Sequence, residues 1–316
     1  MRVVCIGGGQ GLASTLSAWV QLGVRPTAIV ATTDNGGSSG RLRRDGSPVS
    51  WGDLRKAITA LAPCEHELLS TLSQRYAGMH SLAGHCFGNL LLEAYFQQSG
   101  GVVSAVNQLA EQLGCFGSAL PMSESSVDLM AVTHQGKCIF GETAIDALPA
   151  MPVQLLLSHP VSAPQSVIQS ILAADLICLG PGSVLTSIMP ALLMHDIQQA
   201  LLQTKAATLF IHNIAEENSP VATVTPDGVM RWIANALNGL LIDAELNKTH
   251  VTIGGRPNTL PVPIQARNQS GQCRHQVQSL SEALAFCTEK LTPTYSSDNE
   301  YTCATLSEMS QRIIKD

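Results

Sequence analysis

Short apolar runs followed by glycine-rich segments recur along the chain, and they predict parallel strands that alternate with helices. The apolar run at residues 2–6 precedes a glycine-rich turn, and residues 12–22 then show helical spacing. A second apolar run, residues 27–32, follows directly. This β-loop-α-β opening predicts a parallel sheet with right-handed crossover connections.

The same spacing predicts most of the remaining elements. We expect helices at residues 50–61, 65–76, 87–97, 165–173, 184–193 and 230–237, with Ser50 and Asp53 forming a capping box. We expect buried strands at 153–157, 175–179, 207–212 and 240–246, the last of these closing the core. Beyond Lys248 the pattern weakens, and helices are expected only near 280–291 and 306–314.

One region interrupts this alternation. Residues 127–133 and 138–141 flank a His134-Gln135-Gly136 turn, which predicts an antiparallel hairpin. We therefore expect an α/β core over residues 1–248, with a hairpin insertion at about 116–150. Residues 249–316 are expected to form a C-terminal extension packed on the same domain.

Composition agrees with a sheet covered on both faces. Of the 316 residues, 45% are hydrophobic and only 13% are charged, about half the ~25% that is usual for soluble domains. Such a surface favours a homo-oligomer, which we expect to be a dimer. The net charge of −6 argues against a nucleic-acid partner, because nucleic-acid binding normally leaves a basic footprint.

Cysteine usage and hydropathy indicate a cytoplasmic protein. The nine cysteines contain no C-x-x-C pair, which is typical of neither a zinc knuckle nor a disulfide framework. The apolar region at the N-terminus is too short for a signal peptide. The most hydrophobic window, residues 172–194, contains Asp175, two glycines and two prolines, so we expect no membrane span.

Glycine-rich turns follow three predicted strands, at residues 7–11, 36–40 and 180–182. Ligands of open α/β sheets bind beyond the carboxyl ends of the strands, so the three turns are expected to line one crevice. In the first turn, GGGQGLAS, glycines would let an anion approach backbone amides at a helix start. The alternative is a tight strand-to-helix turn without a ligand, since the third small residue of the dinucleotide fingerprint is missing.

The turn at 180–182 allows two interpretations. Ser183 would be the N-cap of the following helix in a purely structural one. In the functional one, its hydroxyl and the amides that follow would hold a phosphate or a sugar hydroxyl, with Thr186 nearby.

The segment TTDNGGSSGRLRR places Asp34 and Asn35 at the end of the second strand. A carboxylate there would bind a ribose or a magnesium ion that bridges phosphates, whereas the alternative is a turn-forming Asp-Asn pair. The arginines that follow have no obvious structural partner, and Arg41 is the best candidate for an anion contact. A solvated basic face is the alternative for Arg43 and Arg44.

Histidines offer two further candidates. His85 and Asn89 lie four residues apart on a predicted helix and would share one face. His212-Asn213 follows a predicted strand, which makes Asn213 a candidate ligand contact. The chain contains no H-x-x-H spacing, so we predict no permanent metal site. It also contains no G-x-S-x-G elbow, so we do not predict covalent catalysis.

The motifs GGGQGL, TTDNGGSSGRLRR, WGDLRKAI, GHCFGNLLL, PMSESSVDL and DLICLGPGSVLTSIMPALL occur in this order between residues 3 and about 246. In this the chain resembles the gluconeogenesis factor (YvcK-like) family, a sister of the 2-phospho-L-lactate transferases (CofD-like). The resemblance implies a Rossmann-like fold with a nucleotide bound at the strand ends.

The resemblance also implies which residues bind the nucleotide. The matching positions are Gly8, Gly9, Gly11 and Leu12 in the first turn, then Asp34, Gly36, Gly37, Ser38, Ser39, Gly40 and Arg41, then Asp53 and Arg55, then His85 and Asn89, and finally Gly180, Gly182, Ser183 and Thr186.

Two functions remain open. The resemblance to the gluconeogenesis factors implies a protein that binds UDP-sugars. Such a protein would be linked to cell-shape control and to growth on gluconeogenic carbon. The transferases are magnesium-dependent enzymes that cleave a nucleoside-diphosphate-linked donor, and here Asp34 would be the catalytic residue and the magnesium contact. Asn35 stands where many relatives have a second Asp, which removes one metal ligand. Because the basic cluster after Asp34 suits an additional anion, we favour the binding protein.

Overall fold

The computed structural model describes residues 1–292, apart from 238, 240, 241, 270 and 271. The helix expected at 306–314 and the first two residues of the strand expected at 240–246 lie outside the described residues. Within them, apolar runs of four or five residues form the central strands, as their β-branched and aliphatic composition predicts.

The strands divide into one large sheet and two small ones. They are β1 (Val3–Gly7), β2 (Thr27–Val30), β3 (Ser118–Pro121), β4 (Leu129–Val132), β5 (Cys138–Phe140), β6 (Gln154–Leu157), β7 (Leu176–Leu179), β8 (Ala207–Ile211), β9 (Ala244–Leu246), β10 (His250–Ile253), β11 (Arg256–Thr259), β12 (Ala266–Gln269) and β13 (Gln272–His275). The large sheet has the order β11-β10-β9-β8-β7-β1-β2-β3. Its strands from β9 to β3 are parallel, whereas β10 and β11 are antiparallel.

Helices cover both faces of the large sheet. They are α1 (Gly9–Gln21), α2 (Gly37–Arg44), α3 (Trp51–Leu61), α4 (Leu68–Ser73), α5 (Phe87–Ser99), α6 (Val102–Gln112), α7 (Glu142–Asp146), α8 (Gln165–Ala173), α9 (Met189–Leu192), α10 (His195–Gln203), α11 (Pro226–Ala236) and α12 (Val277–Leu291). A π-helical turn, Val184–Ile188, leads into α9, and Pro220–Thr223 is a 3-10 turn.

Side chains of each central strand alternate between two hydrophobic cores. In β1, Val3 and Cys5 pack with α1, α3 and α12, whereas Val4 and Ile6 pack with the π-helical turn, α8 and α11. The expectation of a mostly parallel sheet with both faces covered is confirmed.

Several expected elements are wrong in extent or in partner. Residues 37–44 form α2, where a glycine-rich turn was expected at 36–40. Ser39 Oγ accepts a hydrogen bond from the amide of Gly52 on α3, and this tertiary contact outweighs the low helix propensity of the segment. Strand β6 pairs antiparallel with β4 and so belongs to a three-stranded sheet with β5, outside the parallel alternation. Strand β9 is not the last of the core, since β10 and β11 extend the sheet.

Other elements had no counterpart in the sequence pattern. Helix α6 and strand β3 complete one edge of the large sheet, and α10 follows α9. Strand β3 has four residues and ends in proline, which is tolerated only at an edge. At the other end of the chain, α12 lies against α1 and so adds to the same core. The boundary expected at residue 248 stays a prediction.

Candidate functional site

The order of the parallel strands reverses between β1 and β7. Chain order runs outward through β2 and β3 on one side and through β8 and β9 on the other. Consequently α1 leaves β1 toward one face of the sheet, and the π-helical turn leaves β7 toward the other. Ligands of open α/β sheets bind at such a switch point, and both the first and the third glycine-rich turn lie there.

The two turns touch at Gly11. A Cβ atom at residue 11 would lie 2.2 Å from the carbonyl oxygen of Pro181, far inside van der Waals contact. Gly180 has a φ of +82°, in the left-handed region that favours glycine. Gly11 is therefore required because the two backbones approach closely, and Gly180 is favoured because its φ is positive.

Asp53 binds the start of α1. Its Oδ2 accepts a 2.7 Å hydrogen bond from the amide of Gly9, and its Oδ1 pairs with Lys56 Nζ at 2.7 Å. The expected capping box of α3 is thus wrong, because Asp53 is used by another helix. The hydroxyl of Ser50 is buried and has no partner among the described residues.

Asp34 lies in the turn between β2 and α2. Its Oδ1 accepts a 2.7 Å hydrogen bond from the amide of Gly36, the local turn that sequence reasoning held as the alternative. Burial, and to a lesser degree the charge of Asp53, raises the pKa of Asp34, although the Gly36 and Ser39 hydrogen bonds oppose the shift. Burial is therefore the main cause of the raised pKa, and the positive charge of Lys56 opposes the effect of Asp53.

Asn35 contacts the short helix α7. A Cβ atom at Gly141 would lie 2.0 Å from Asn35 Nδ2, and the Asn35 Oδ1 accepts 3.4 Å hydrogen bonds from the amide and hydroxyl of Thr143. The side chain thereby joins the second glycine-rich segment to the small sheet.

Glu142 and Asp146 on α7 are site residues that the sequence analysis missed. Burial and the charges of Asp34, Asp53 and Asp146 raise the pKa of Glu142 to about 9. Asp146 accepts hydrogen bonds from the hydroxyls of Ser183 (3.3 Å) and Thr186 (3.2 Å). No sequence spacing relates α7 to the other turns, because the small sheet brings it there through tertiary packing.

These carboxylates do not form a metal site by themselves. Within residues 1–292 as described, no group of three or more His, Cys, Asp or Glu side chains is arranged to hold a metal ion. Glu142 keeps its proton at neutral pH, and Asp146 already accepts two hydroxyl hydrogens. A magnesium ion would need oxygen ligands from phosphate groups, with Asp34 as the nearest expected contact.

Hydrogen bonds from Ser183 on one side and Asn213 on the other hold the third glycine-rich turn. Ser183 Oγ accepts a 3.3 Å hydrogen bond from the amide of Thr186, so its role as an N-cap is confirmed. Asn213 Oδ1 accepts from the amide of Gly182 at 3.1 Å, and its Nδ2 donates to the Gly182 carbonyl at 2.9 Å. Glu217, also missed from sequence, accepts from Asn213 Nδ2 at 2.8 Å and from the amide of Val184 at 3.3 Å. Burial raises the pKa of Glu217.

The arginines of the second segment do have structural partners, contrary to expectation. Arg41 donates to the backbone carbonyls of Ser81 and Ala83. Arg43, whose side chain is 8% exposed, donates to Asp128 Oδ1 at 2.8 Å and to the Val127 carbonyl at 2.9 Å. Of these three arginines only Arg44 is exposed, so the alternative of a solvated basic face applies to Arg44 and not to Arg43.

His85 and Asn89 do not share a helix face, because α5 begins at Phe87. Both nevertheless reach α2: His85 Nδ1 lies 3.2 Å from Ser38 Oγ, and Asn89 Nδ2 lies 3.5 Å from Ser39 Oγ. Burial, followed by the charge of Arg41, lowers the pKa of His85. Asn89 Oδ1 also accepts a 3.0 Å hydrogen bond from Arg55 Nε.

A cavity of about 520 Å³ opens at the switch point, which we call the switch-point cavity. Its lining includes Gln10, Gly11, Gly182, Ser183, Asn213, Glu217 and His275. His275 comes from the C-terminal part of the chain, and burial lowers its pKa to about 4.

The expected site residues divide by position. Gly11, Gly182, Ser183 and Asn213 line the switch-point cavity. Gly8 and Gly9 lie against Asp53, and Asp34, Gly36, Gly37, Ser38, Ser39 and Arg41 form the neighbouring wall with His85 and Asn89. Leu12 is buried in the core and is 1% exposed.

A search for membrane-spanning helices among the described residues found none of sufficient length and hydropathy.

Comparisons with known proteins place this chain in a family. The sequence profile described as "2-phospho-L-lactate transferase CofD" matches residues 3–259. A "putative gluconeogenesis factor" of Yersinia pestis is 38% identical over 293 residues, covering 92% of this chain and 95% of that protein. A "gluconeogenesis factor" of Listeria monocytogenes is 29% identical, covering 89% of this chain and 85% of that protein.

A solved structure shows the same architecture. A member of the UPF0052 family from Bacillus halodurans superposes with a TM-score of 0.80 at 27% sequence identity, covering 89% of this chain and 98% of that one. The chain therefore belongs to the CofD family, and its relatives within that family are the gluconeogenesis factors.

Proposed function

We propose that the protein binds a nucleotide-sugar, of the UDP-sugar class, in the switch-point cavity. One observation carries the proposal: the turns after β1 and β7 meet at Gly11 and Pro181 and border a cavity of about 520 Å³. That volume lies in the range of small-molecule sites. The family resemblance links such binding to cell-shape control and to growth on gluconeogenic carbon, in a cytoplasmic protein.

The polar groups around the cavity support a ligand with both phosphates and hydroxyls. Asp53 occupies the Gly9 amide, but Gln10 and Gly11 line the cavity in the first turn of α1, where backbone amides have no partner within the helix and suit a phosphate. Glu217 and Asn213 supply oxygen acceptors on the opposite side, which suit sugar hydroxyls.

Magnesium-dependent transfer from a nucleoside-diphosphate donor is the second candidate. The observation in its favour is that Glu142, whose pKa burial and the charges of Asp34, Asp53 and Asp146 raise to about 9, is a carboxylic acid that keeps its proton at neutral pH near Asp34. An acid beside a carboxylate is the arrangement that general acid–base chemistry uses. When bound, magnesium would neutralise the donor phosphates, and Asp34 would be its protein contact.

Thermal unfolding with a ligand panel tests the two candidates. A ligand that binds only the native state raises the melting temperature, and at 100 times its Kd adds about 2.7 kcal/mol to the free energy of unfolding. We expect UDP-sugars to raise it in the wild type. A shift with GDP and magnesium, beside no shift with any UDP-sugar, would favour the transferase.

Asp34→Asn then separates binding from chemistry. A binding protein should retain UDP-sugar affinity within a few-fold, because Asn keeps the oxygen that accepts from Gly36. A transferase would lose turnover while still binding its donor. The homodimer expected from composition stays a prediction, which sedimentation of the free and liganded protein would address.

A further inference from the structure

Exposed apolar side chains are concentrated in one short part of the chain. Of the eleven large hydrophobic side chains that are exposed among the described residues, five lie on α4, on the first residue of α5 or on the loop between them. We call these five the α4–α5 patch: Leu68, Tyr76, Met79, Leu82 and Phe87. Met79 is 99% exposed. Exposed apolar surface that is concentrated in this way marks an interaction site in soluble proteins.

Backbone hydrogen bonds fold the loop between α4 and α5 back on itself. The amide of Tyr76 donates to the His85 carbonyl at 2.8 Å, and the amide of Phe87 donates to the Gln74 carbonyl at 2.9 Å. The two ends of the loop are thereby paired in antiparallel orientation. This pairing brings Tyr76 close to Phe87, with Met79 in the turn that joins them.

Contacts with α2 hold this loop in place. Arg41 on α2 donates to the backbone carbonyls of Ser81 and Ala83. The Nδ1 atom of His85 lies 3.2 Å from Ser38 Oγ, also on α2. The apolar surface is therefore preformed, and a preformed surface loses little conformational entropy when it binds a partner.

The patch is large enough to provide the apolar part of a dimer interface. A large side chain presents roughly 150–250 Å² when it is free, so five such side chains, each at least 40% exposed, present on the order of 500 Å². A standard interface takes about 800 Å² from each partner, of which about 56–58% is non-polar. The patch alone therefore matches the apolar area that one protomer would contribute.

The distribution of charge favours a second copy of this chain as the partner. A two-fold dimer brings the same surface of both copies together, so a patch with several charges of one sign would repel itself. Residues 68–92 contain no Asp, Glu or Lys and a single arginine, Arg75. Arg75 donates to the Gly84 carbonyl at 2.8 Å. One arginine is also far fewer than the roughly four to eight basic residues that attract an anionic membrane surface.

We propose that two copies of this chain associate through the α4–α5 patch in a two-fold symmetric dimer, with Met79 buried against the partner copy. The proposal is independent of the proposed function, because none of the five patch residues belongs to the described lining of the switch-point cavity.

Sedimentation velocity of the full chain at several micromolar concentrations tests this dimer. We expect the wild type to sediment as a dimer. Met79→Glu and Leu82→Glu should each raise the dimer Kd at least about 30-fold, because each places a charge in the apolar interface twice per dimer. Leu202→Glu is the matched control, since Leu202 is 56% exposed on α10, outside the patch, and this variant should remain dimeric.

Thermal unfolding at several protein concentrations separates dissociation from misfolding. The melting temperature of a dimer rises with protein concentration, because association stabilises the native state by mass action. The wild type and Leu202→Glu should show this rise, whereas Met79→Glu should not. Met79→Glu should nevertheless keep the circular dichroism spectrum of the wild type, because the side chain at 79 is exposed in the single chain.

Three results would overturn the proposal. The first is a wild type that stays monomeric at every concentration, and the second is a dimer that both Met79→Glu and Leu82→Glu leave intact. The third is binding of a monomeric wild type to vesicles of phosphatidylserine and phosphatidylcholine that Met79→Glu abolishes, which would assign the patch to a membrane surface.

Discussion

The amide of Gly9, the first residue of α1, donates a 2.7 Å hydrogen bond to Oδ2 of Asp53 on α3. A carboxylate from one helix thus satisfies the start of another, in the position where dinucleotide folds place a phosphate. Lys56 binds the other oxygen of the same carboxylate at 2.7 Å. The contact ties the first glycine-rich turn to α3.

Removing this carboxylate should destabilise the protein. Asp53 is 9% exposed, and a hydrogen bond to a charged group contributes about 1.5–3 kcal/mol. We expect Asp53→Ala to lower the free energy of unfolding by about 2 kcal/mol, measured by urea denaturation, and Asp53→Asn to lower it by less. The control is Asp227→Ala, an exposed carboxylate in the first turn of α11. Equal losses in Asp53→Ala and Asp227→Ala would contradict the role of the Gly9 contact.

The contact between the two turns makes a second prediction. In Gly11→Ala the new methyl group would meet the Pro181 carbonyl oxygen at 2.2 Å, so one turn must move. We expect a loss of about 3 kcal/mol in unfolding free energy and weakened UDP-sugar binding. Gly23→Ala is the control: Gly23 has a φ of +72° and open space around its Cβ position, so it should cost about 1 kcal/mol and leave binding intact. Wild-type binding by Gly11→Ala would exclude the junction of the turns from the ligand site.

Arg43 should be a stabilising residue and not a ligand contact. Its guanidinium donates to Asp128 and to backbone carbonyls of Thr33 and Val127, and truncation leaves these acceptors without their donor. We expect Arg43→Ala to lower the free energy of unfolding by about 2–4 kcal/mol. Arg44→Ala, on the exposed side of the same helix, should change it by less than about 0.5 kcal/mol. Chemical denaturation of both variants gives the comparison, and similar values for the two would show that the buried bonds of Arg43 contribute little.

Glu142 should make stability depend on pH. The folded state keeps the proton of Glu142 up to about pH 9, whereas the unfolded chain releases it near the ordinary pKa of 4.5. Because the folded state binds more protons in this window, stability falls as the pH rises from 4.5 toward 9. The slope for one group cannot exceed about 1.4 kcal/mol per pH unit.

Glu142→Gln should remove this slope, because the amide is uncharged at every pH in the window. We expect the variant to match the wild type near pH 5 and to gain stability over it toward pH 8. Melting temperatures across this range give the comparison, with the exposed Glu111→Gln as the control. A constant difference between Glu142→Gln and the wild type at all pH values would show that Glu142 does not hold its proton.

The sequence by itself determined the fold class and the first and third turns of the site. Continuous short apolar runs between helical segments specify a parallel sheet covered on both faces, because a strand buried on both faces needs apolar residues at successive positions. Glycine at positions 11 and 180 could be assigned to turns for the same local reason. The motif order was sufficient to predict the family, which the comparisons confirm.

Only the tertiary structure decided which side chains face those turns. Glu142, Asp146 and Glu217 reach the turns through the small sheet and the loop after β8, and no spacing in the sequence relates them to Gly11 or Ser183. Arg41 and Arg43 appeared available for an anion because, apart from the Thr33 carbonyl, the partners named for them lie 40 to 85 residues away. Arg55 is oriented by Gly88 and Asn89 on a different helix. Contacts between residues far apart in the chain depend on how the layers pack, and local sequence patterns do not encode that packing.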